Sequence, residues 1–164
     1  MGQYILEREM VIPRETGDVF SFFGDPRNLE AITPPWLHFK ILTPMPLELA
    51  AGVKIVYRLR LHGIPIKWVT KITAWEPPDG FVDEQIRGPY TQWIHTHRFE
   101  AVPAGTRMRD RVLYRVPGGN LTHSLFVGRN LEKIFAFRQE AITRILTSAN
   151  READLQTDQC LSDS

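Results

Sequence analysis

The chain has 164 residues, with 20 basic and 19 acidic side chains, so its formal net charge is +1. A content of 43% hydrophobic and 24% charged residues is typical of a globular domain, which excludes wholesale disorder and a collagen-like fibre. The near-zero net charge argues against a protein built to bind nucleic acid or an anionic membrane. The single cysteine, Cys160, cannot close an internal disulfide, which excludes a disulfide-stabilised miniprotein.

The expected location and domain organisation follow from the same patterns. No apolar run reaches the ~18 residues of a membrane span, and the first residues lack the basic-then-apolar pattern of a secretory signal. We therefore expect a cytoplasmic protein without stable membrane insertion. The length suits one domain, which we place at residues 1–149. The polar, aperiodic residues 150–164 are interpreted as a flexible tail.

The first predicted elements are a strand and two short helices. The strand covers Tyr4–Ile12. Thr16 or Asp18 is a candidate N-cap for the first helix. Asp25 and Pro26 favour a second helix, with Asp25 as its cap and Pro26 at its first position, and this helix must end before the next proline pair.

Residues 37–116 are predicted to form about six strands. Apolar and polar side chains alternate along Val53–Leu61, Ile66–Ala74 and Arg107–Val116. This period of two is typical of strands with one covered and one solvated face. Frequent prolines between β-rich runs favour an antiparallel sheet built from hairpins.

The period changes after the Pro-Gly-Gly sequence at 117–119. Apolar residues then recur every three or four positions up to Leu146, which predicts a long amphipathic helix. It is expected to start between Leu121 and Asn130 and to end near Ser148. The element order predicts an α+β fold in which a curved antiparallel sheet of about seven strands wraps around the long C-terminal helix. The two short helices after the first strand close one end.

Four segments carry a family resemblance: Phe81–Tyr90, Trp93–Phe99, Gly105–Tyr114 and Pro117–Gly119. They resemble a bacterial cyclase/dehydrase-like, ligand-binding subgroup of the SRPBCC superfamily, which is START-like or birch-pollen-allergen-like. The resemblance implies a helix-grip fold with an elongated cavity for a mostly apolar molecule between sheet and long helix. Relatives include aromatic polyketide cyclases, coenzyme Q-binding proteins and lipid carriers, and fold alone does not choose among them.

Two histidines and one aspartate are the candidate catalytic residues. His95 and His97 share one strand face with Trp93. A hairpin register in which paired residue numbers sum to 207 places Asp110 opposite His97, and a sum of 205 places it opposite His95. Because a buried carboxylate needs a partner, both registers predict a His–Asp pair. The pair has three interpretations, as a structural contact, a hydrogen-bond donor to a ligand, or a general acid/base.

The strand at 81–87 has two possible orientations, because the turn at Gly88 and Pro89 is expected to have two or three residues and that choice reverses its faces. The family resemblance favours the first orientation. The inward residues are Phe81, Asp83 and Gln85 in the first orientation and Val82, Glu84 and Ile86 in the second.

The predicted ligand-binding residues are aromatic or polar side chains on the covered face or near the cavity mouth. They are Trp36, Tyr57, Trp68, Gln85, Trp93, His95, His97, Tyr114 and Phe135. We expect them to bind a small hydrophobic or amphipathic molecule, such as a lipid, isoprenoid, quinone or polyketide-like compound, without turnover. The alternative is a cofactor-free aromatic polyketide cyclase or dehydratase that uses the His–Asp pair.

The sequence also bears on a metal site and on a macromolecular partner. A His-x-His pair on one strand can chelate zinc or iron, with Asp110 as a possible third ligand. Since no further Cys/His cluster accompanies the pair, we predict no metal site and no cofactor. The basic residues on the outer strand faces are interpreted as a solvated surface, so no nucleic-acid partner is expected. The chain is expected to be a monomer or a homodimer.

Overall fold

The computed structural model describes residues 2–118, 123 and 127–162, with side chains as far as Ser148. The strands are β1 (Tyr4–Ile12), β2 (Lys40–Ile41), β3 (Lys54–Leu61), β4 (Ile64–Glu76), β5 (Gly80–Arg87), β6 (Gln92–Val102) and β7 (Gly105–Arg115). The helices are α1 (Thr16–Gly24), α2 (Asn28–Ala31) and α3 (Gly128–Ser162), and a 3-10 turn covers Pro35–Leu37.

All seven strands form one antiparallel sheet in the order β1-β7-β6-β5-β4-β3-β2. Consecutive strands from β2 to β7 are neighbours, as the prolines and alternation predict. Strand β1 pairs with β7 and forms one edge of the sheet. The curved sheet holds α3 against its concave face, and α1 and α2 lie at one end. The predicted α+β helix-grip architecture is confirmed.

The β6–β7 hairpin has the register whose paired numbers sum to 207, so His97 lies opposite Asp110 and His95 opposite Val112. The alternative sum of 205 is wrong. The same register places Arg107 opposite Glu100 on the outer face, and Arg107 Nη1 donates to Glu100 Oε2 at 3.2 Å.

Strand β5 has the first of its two predicted orientations. Phe81 lies opposite His97 and Asp83 opposite His95, so both project from the same face as the histidines. The turn that follows is longer than predicted, because β5 ends at Arg87 and β6 begins at Gln92.

Two predicted helix caps do not form. The N-cap residue of α1 is Glu15, and it makes no side-chain capping bond. The Thr16 hydroxyl instead lies 3.2 Å from the hydroxyl of Thr106. Helix α2 starts at Asn28 rather than at Pro26, although the Asp25 carboxylate accepts the backbone N–H of residue 27 at 3.0 Å in a short turn before it.

Helix α3 begins inside the predicted range and continues to Ser162, so its predicted end near Ser148 is wrong. Residues 149–162 contain no glycine or proline, and eight of the fourteen are Ala, Leu, Gln, Arg or Glu, which favour helix even without an apolar stripe. Leu121, Leu125 and Phe126, which belong to the predicted apolar stripe of the long helix, lie outside the described residues. The flexibility of residues 150–164 stays a prediction. Within the described ranges, no helix is long and apolar enough to cross a bilayer.

The apolar core consists of two clusters that meet at the middle of β6. One contains Phe23, Phe81 and Phe99 with the later part of α3. The other contains Trp68 and Trp93 with the earlier part of α3. The candidate site lies where these clusters meet.

Candidate functional site

A cavity of about 170 Å³ lies between the concave face of the sheet, α3 and the short helical segments. Its walls are mostly aliphatic and aromatic. The helical side contributes Phe23, Leu29, Ile32, Leu37, Leu131, Ile134, Phe135 and Arg138, and the sheet contributes Ile55, Tyr57, Leu59, Trp68, Thr70, Ile72, Phe81, Asp83, Trp93, His95 and His97. An apolar chamber with a few polar groups is the usual form of a small-molecule site.

Six of the nine predicted ligand-binding residues lie in this wall. They are Tyr57, Trp68, Trp93, His95, His97 and Phe135. The five on the sheet reach it because strand alternation turns every second side chain inward, and Phe135 reaches it from the apolar face of α3.

Trp36 and Gln85 lie outside the wall. Trp36 is 49% exposed and packs edge-on against Phe137 at a centroid distance of 5.5 Å, because the 3-10 turn directs the next residue inward instead. The Gln85 amide donates to the backbone carbonyl of Tyr90 at 2.7 Å. It therefore closes the turn between β5 and β6.

Tyr114 also lies outside the wall, behind the ring of Trp93 at a centroid distance of 6.0 Å. It is 3% exposed, and its hydroxyl lies 2.8 Å from Nε2 of His123. Its partner is thus a residue beyond β7 rather than the cavity.

Among the wall residues that were not predicted, Tyr90 and Arg138 carry polar groups. Tyr90 enters from the β5–β6 turn, and it was missed because that turn was expected to be shorter. Arg138 enters from α3. A charged residue within the apolar stripe of an amphipathic helix was the available signal for it.

The polar cluster of the site is Asp83, His95, His97 and Asp110. Nε2 of His97 lies 3.1 Å from Asp83 Oδ2, and its Nδ1 lies 2.8 Å from Asp110 Oδ1. His95 faces the same two oxygens at longer range, with Nδ1 3.7 Å from Asp83 and Nε2 3.4 Å from Asp110. Both imidazoles therefore lie between two carboxylates.

Two further side chains hold the carboxylates. The Thr70 hydroxyl donates to Asp83 Oδ1 at 3.1 Å. Nε of Arg138 lies 3.6 Å from Asp110 Oδ2, and its guanidinium lies 5.7 Å from the centre of the Phe23 ring. The cluster is thus anchored from β4 and from α3.

The surroundings shift the pKa values of the two imidazoles in opposite directions. Burial, followed by the nearby His97, lowers the pKa of His95. Burial also opposes protonation of His97, but Asp110 and Asp83 outweigh it and raise the pKa of that imidazole. His97 is therefore the more basic of the two.

Both carboxylates are ionised at neutral pH. Burial opposes ionisation, but the two histidines hold the pKa of Asp110 well below its ordinary value. The pKa of Asp83 is also lowered, since its bond to His97 and the charge of His95 outweigh burial. Burial and the Asp83 charge raise the pKa of Tyr57 well above its usual range, so the Tyr57 hydroxyl remains a donor.

The cavity can bind an apolar body and orient one polar group. Trp68 lines the wall, and its buried indole N–H has no hydrogen-bond partner among the described residues. His95 presents a neutral imidazole to the same space. A guest with a carbonyl or hydroxyl oxygen could accept from Trp68 while an imidazole contacts the same polar end.

The comparisons with known proteins agree with this architecture. Residues 12–143 match the model of the family described as polyketide cyclase / dehydrase and lipid transport. No curated protein matches the chain.

Several solved structures share the fold at low sequence identity. Ara h 8.0201 superposes with a TM-score of 0.65 at 16% identity, covering 90% of this chain and 99% of its own. Protein Ms6760 from Mycobacterium smegmatis gives 0.66 at 17% identity, with 88% and 92% covered. Ginseng major latex-like protein 151 from Panax ginseng gives 0.64 at 12% identity, with 87% and 96% covered.

The family match spans most of the chain, from the end of β1 into the second half of the apolar stripe of α3. It includes the β5–β7 segments that carry the polar cluster and the part of α3 that carries Phe135 and Arg138. The chain therefore belongs to the polyketide cyclase / dehydrase and lipid transport family.

Proposed function

We propose that the chain binds a compact, mostly apolar molecule with one oxygen-bearing polar end. The observation that carries this proposal is the apolar cavity whose sheet side presents Trp68, His95 and His97 together. A volume of about 170 Å³ is similar to engineered cavities of ~150 Å³ that accept benzene. A cavity of this size therefore suits a ring-sized group better than a complete long-chain lipid.

The test uses two ring compounds that differ by one hydroxyl, naphthalene and 2-naphthol, with the fluorescence of Trp68 and Trp93 as the readout. Both compounds should bind, and 2-naphthol should bind roughly 2- to 10-fold more tightly, which corresponds to one net hydrogen bond. Equal affinities would show that the cavity does not recognise a polar end, and absence of binding by both compounds would overturn the proposal. Native mass spectrometry of the freshly purified chain should also show a co-purified small molecule.

A pair of leucine substitutions locates the binding. Leu59 lies in the wall and is 6% exposed, whereas Leu42 is 44% exposed. Leu59→Trp should fill the chamber and abolish binding of both compounds, and Leu42→Trp should leave binding unchanged. Equal loss in the two variants, or in neither, would place binding elsewhere.

A second candidate function is a cofactor-free cyclisation or dehydration. It is favoured by the neutral His95 imidazole at the cavity, with Asp110 3.4 Å from its far nitrogen, because a base held by a carboxylate can accept a proton from a bound substrate. In a variant with His95→Gln and His97→Gln, retained guest affinity with lost turnover would favour the enzyme. Lost affinity without turnover in either protein would favour the carrier.

A further inference from the structure

We propose that Asp83, His95 and His97 form a binding site for one divalent first-row transition metal ion at the sheet side of the cavity. Asp83 Oδ2 and one nitrogen from each imidazole lie within 4.8 Å of one another. The proposal goes beyond the binding of an apolar guest and does not depend on it.

The backbone brings the three ligands together. His95 and His97 are alternate residues of β6, so both imidazoles project from one face. Asp83 is the cross-strand partner of His95 on β5. A two-strand platform of this kind holds the ligands on regular structure rather than on a loop, which favours a defined geometry.

Two of the three ligand spacings, those from Asp83 to each imidazole, suit an ion. Two ligands that each lie about 2.05 Å from a tetrahedral zinc ion are about 3.3 Å apart. Asp83 Oδ2 lies 3.1 Å from Nε2 of His97 and 3.7 Å from Nδ1 of His95, which brackets that value. Small side-chain rotations would equalise the two distances.

The nitrogens that face away from the proposed ion meet a second carboxylate. Nδ1 of His97 and Nε2 of His95 lie 2.8 and 3.4 Å from Asp110 Oδ1. Histidines that bind metals commonly direct their other N–H to a carboxylate, which fixes the tautomer. Asp110 thus orients the two imidazoles. Asp83 is the third metal ligand, a role for which Asp110 was considered on the sequence alone.

The cluster is only partly satisfied by its own contacts: His97 Nε2 is hydrogen-bonded to Asp83 Oδ2 at 3.1 Å, but the side facing Asp110 is incomplete. His95 Nε2, His97 Nδ1 and Asp110 Oδ1 are buried, and none has a well-aligned hydrogen bond within the described part of the chain. A cluster that served only to stabilise the sheet would be expected to complete these bonds. An ion would fix both rings with their free N–H groups turned toward Asp110.

The charge of Asp83 is also not balanced by an arginine or lysine among the described ion pairs, so a cation is compatible with the site. Arg138 approaches Asp110 at 3.6 Å and balances that carboxylate. Asp83 is held by the Thr70 hydroxyl through Oδ1, so Oδ2 faces the imidazoles. Two imidazoles and one carboxylate favour Zn²⁺ or Fe²⁺ over Mg²⁺ and Ca²⁺, which prefer oxygen ligands alone.

Three protein ligands leave a coordination position open, as in metal sites that act on bound molecules. All three ligand residues line the cavity, so an oxygen of a guest could complete the coordination. This departs from the sequence-based prediction of no metal site.

The experiment measures Zn²⁺ uptake by the untagged full chain after treatment with EDTA. To exclude binding by the tail thiol, every protein carries Cys160→Ser. Competition with a chromogenic chelator should give one Zn²⁺ per chain, and Zn²⁺ should raise the thermal midpoint because the assembled site binds it more tightly than the unfolded chain does. No uptake, or no rise in the midpoint, would overturn the proposal without requiring any site variant to fold.

Variants then locate the ion. Asp83→Asn and His95→Gln should each weaken Zn²⁺ binding roughly 100-fold or more, because loss of an outer-shell partner alone typically costs 10- to 100-fold. His38→Gln, at an exposed histidine, is the matched control and should leave binding unchanged. Equal Zn²⁺ affinity in all the variants would mean adventitious binding and would overturn the site. Binding of 2-naphthol to the EDTA-treated protein tests the guest cavity separately.

Discussion

Asp83 lies opposite His95 in the register of β5 and β6, and its carboxylate approaches Nδ1 of that histidine to 3.7 Å. The same oxygen is closer to the next inward histidine, at 3.1 Å from Nε2 of His97. One carboxylate on β5 therefore spans two successive inward positions of β6. Asp110 repeats this arrangement from β7, so the cluster ties three neighbouring strands together.

The two carboxylates should differ in their contribution to stability. Asp110 contacts both histidines and Arg138 and has a side chain 6% exposed, whereas that of Asp83 is 17% exposed. Breaking a buried pair typically costs ~3–5 kcal/mol. Asp110→Asn should approach that range, and Asp83→Asn should cost about half as much in the free energy of unfolding by urea. A larger loss for Asp83→Asn would contradict the assigned burial and partners.

The cavity wall should tolerate loss of a ring better than the closed core. Phe135 and Phe99 are both buried, at 5% and 3% exposure, but only Phe135 lines the cavity. Phe99→Ala should cost about 3–5 kcal/mol of unfolding free energy. Phe135→Ala should cost less, because its ring already borders empty space. Equal losses in chemical denaturation would indicate that the chamber closes around Phe135 in solution.

The backbones of β5 and β6 are in close contact where Gly80 lies beside His97. A Cβ at Gly80 would lie 2.2 Å from the carbonyl oxygen of His97, whereas a Cβ at Gly63 would meet nothing within 4 Å. Gly63 has φ +81°, so Gly63→Ala should cost only ~1–2 kcal/mol for its left-handed backbone. Gly80→Ala should cost about 3 kcal/mol or more.

Guest binding provides an independent check on the Gly80–His97 contact between β5 and β6. In Gly80→Ala, the shift of the His97 backbone should also weaken 2-naphthol binding, and in Gly63→Ala that affinity should stay unchanged. A folded Gly80→Ala protein with the stability and affinity of Gly63→Ala would show that β5 and β6 are further apart than described.

The indole of Trp68 provides a test of the polar end of the guest. Trp68→Phe removes an N–H that has no partner among the described residues and keeps a ring in the wall. The affinity for 2-naphthol should therefore fall about 2- to 10-fold, while the affinity for naphthalene changes little. Trp36→Phe, outside the wall, should change neither. Fluorescence titration of both compounds measures the difference. An equal loss for both compounds in Trp68→Phe would mean that the ring, and not the N–H, makes the contribution.

The local pattern of the sequence was enough to predict the sheet, because alternation identified the inward faces of β3, β4, β6 and β7. These faces depend on neighbouring residues and on a period of two, so they can be read from the chain alone. The sequence left two registers open for the β6–β7 hairpin, and the turn at 103–104 in the structure selects the one that places His97 opposite Asp110. The helix end was misjudged because residues 149–162 have high helix propensity without an apolar stripe.

Alternation in the sequence was sufficient to turn the two histidines, Asp110, Tyr57, Trp68 and Trp93 toward the covered face of the sheet. Which of these inward groups meet depends on tertiary packing, because contacts between elements are set by how α3 and the β5–β6 turn lie on the sheet. That packing brought Arg138 to Asp110, occupied Gln85 with the turn and left Trp36 outside. It also chose Asp83 over Asp110 as the carboxylate that faces the cavity, since β5 places it beside both imidazoles on the open side of the cluster.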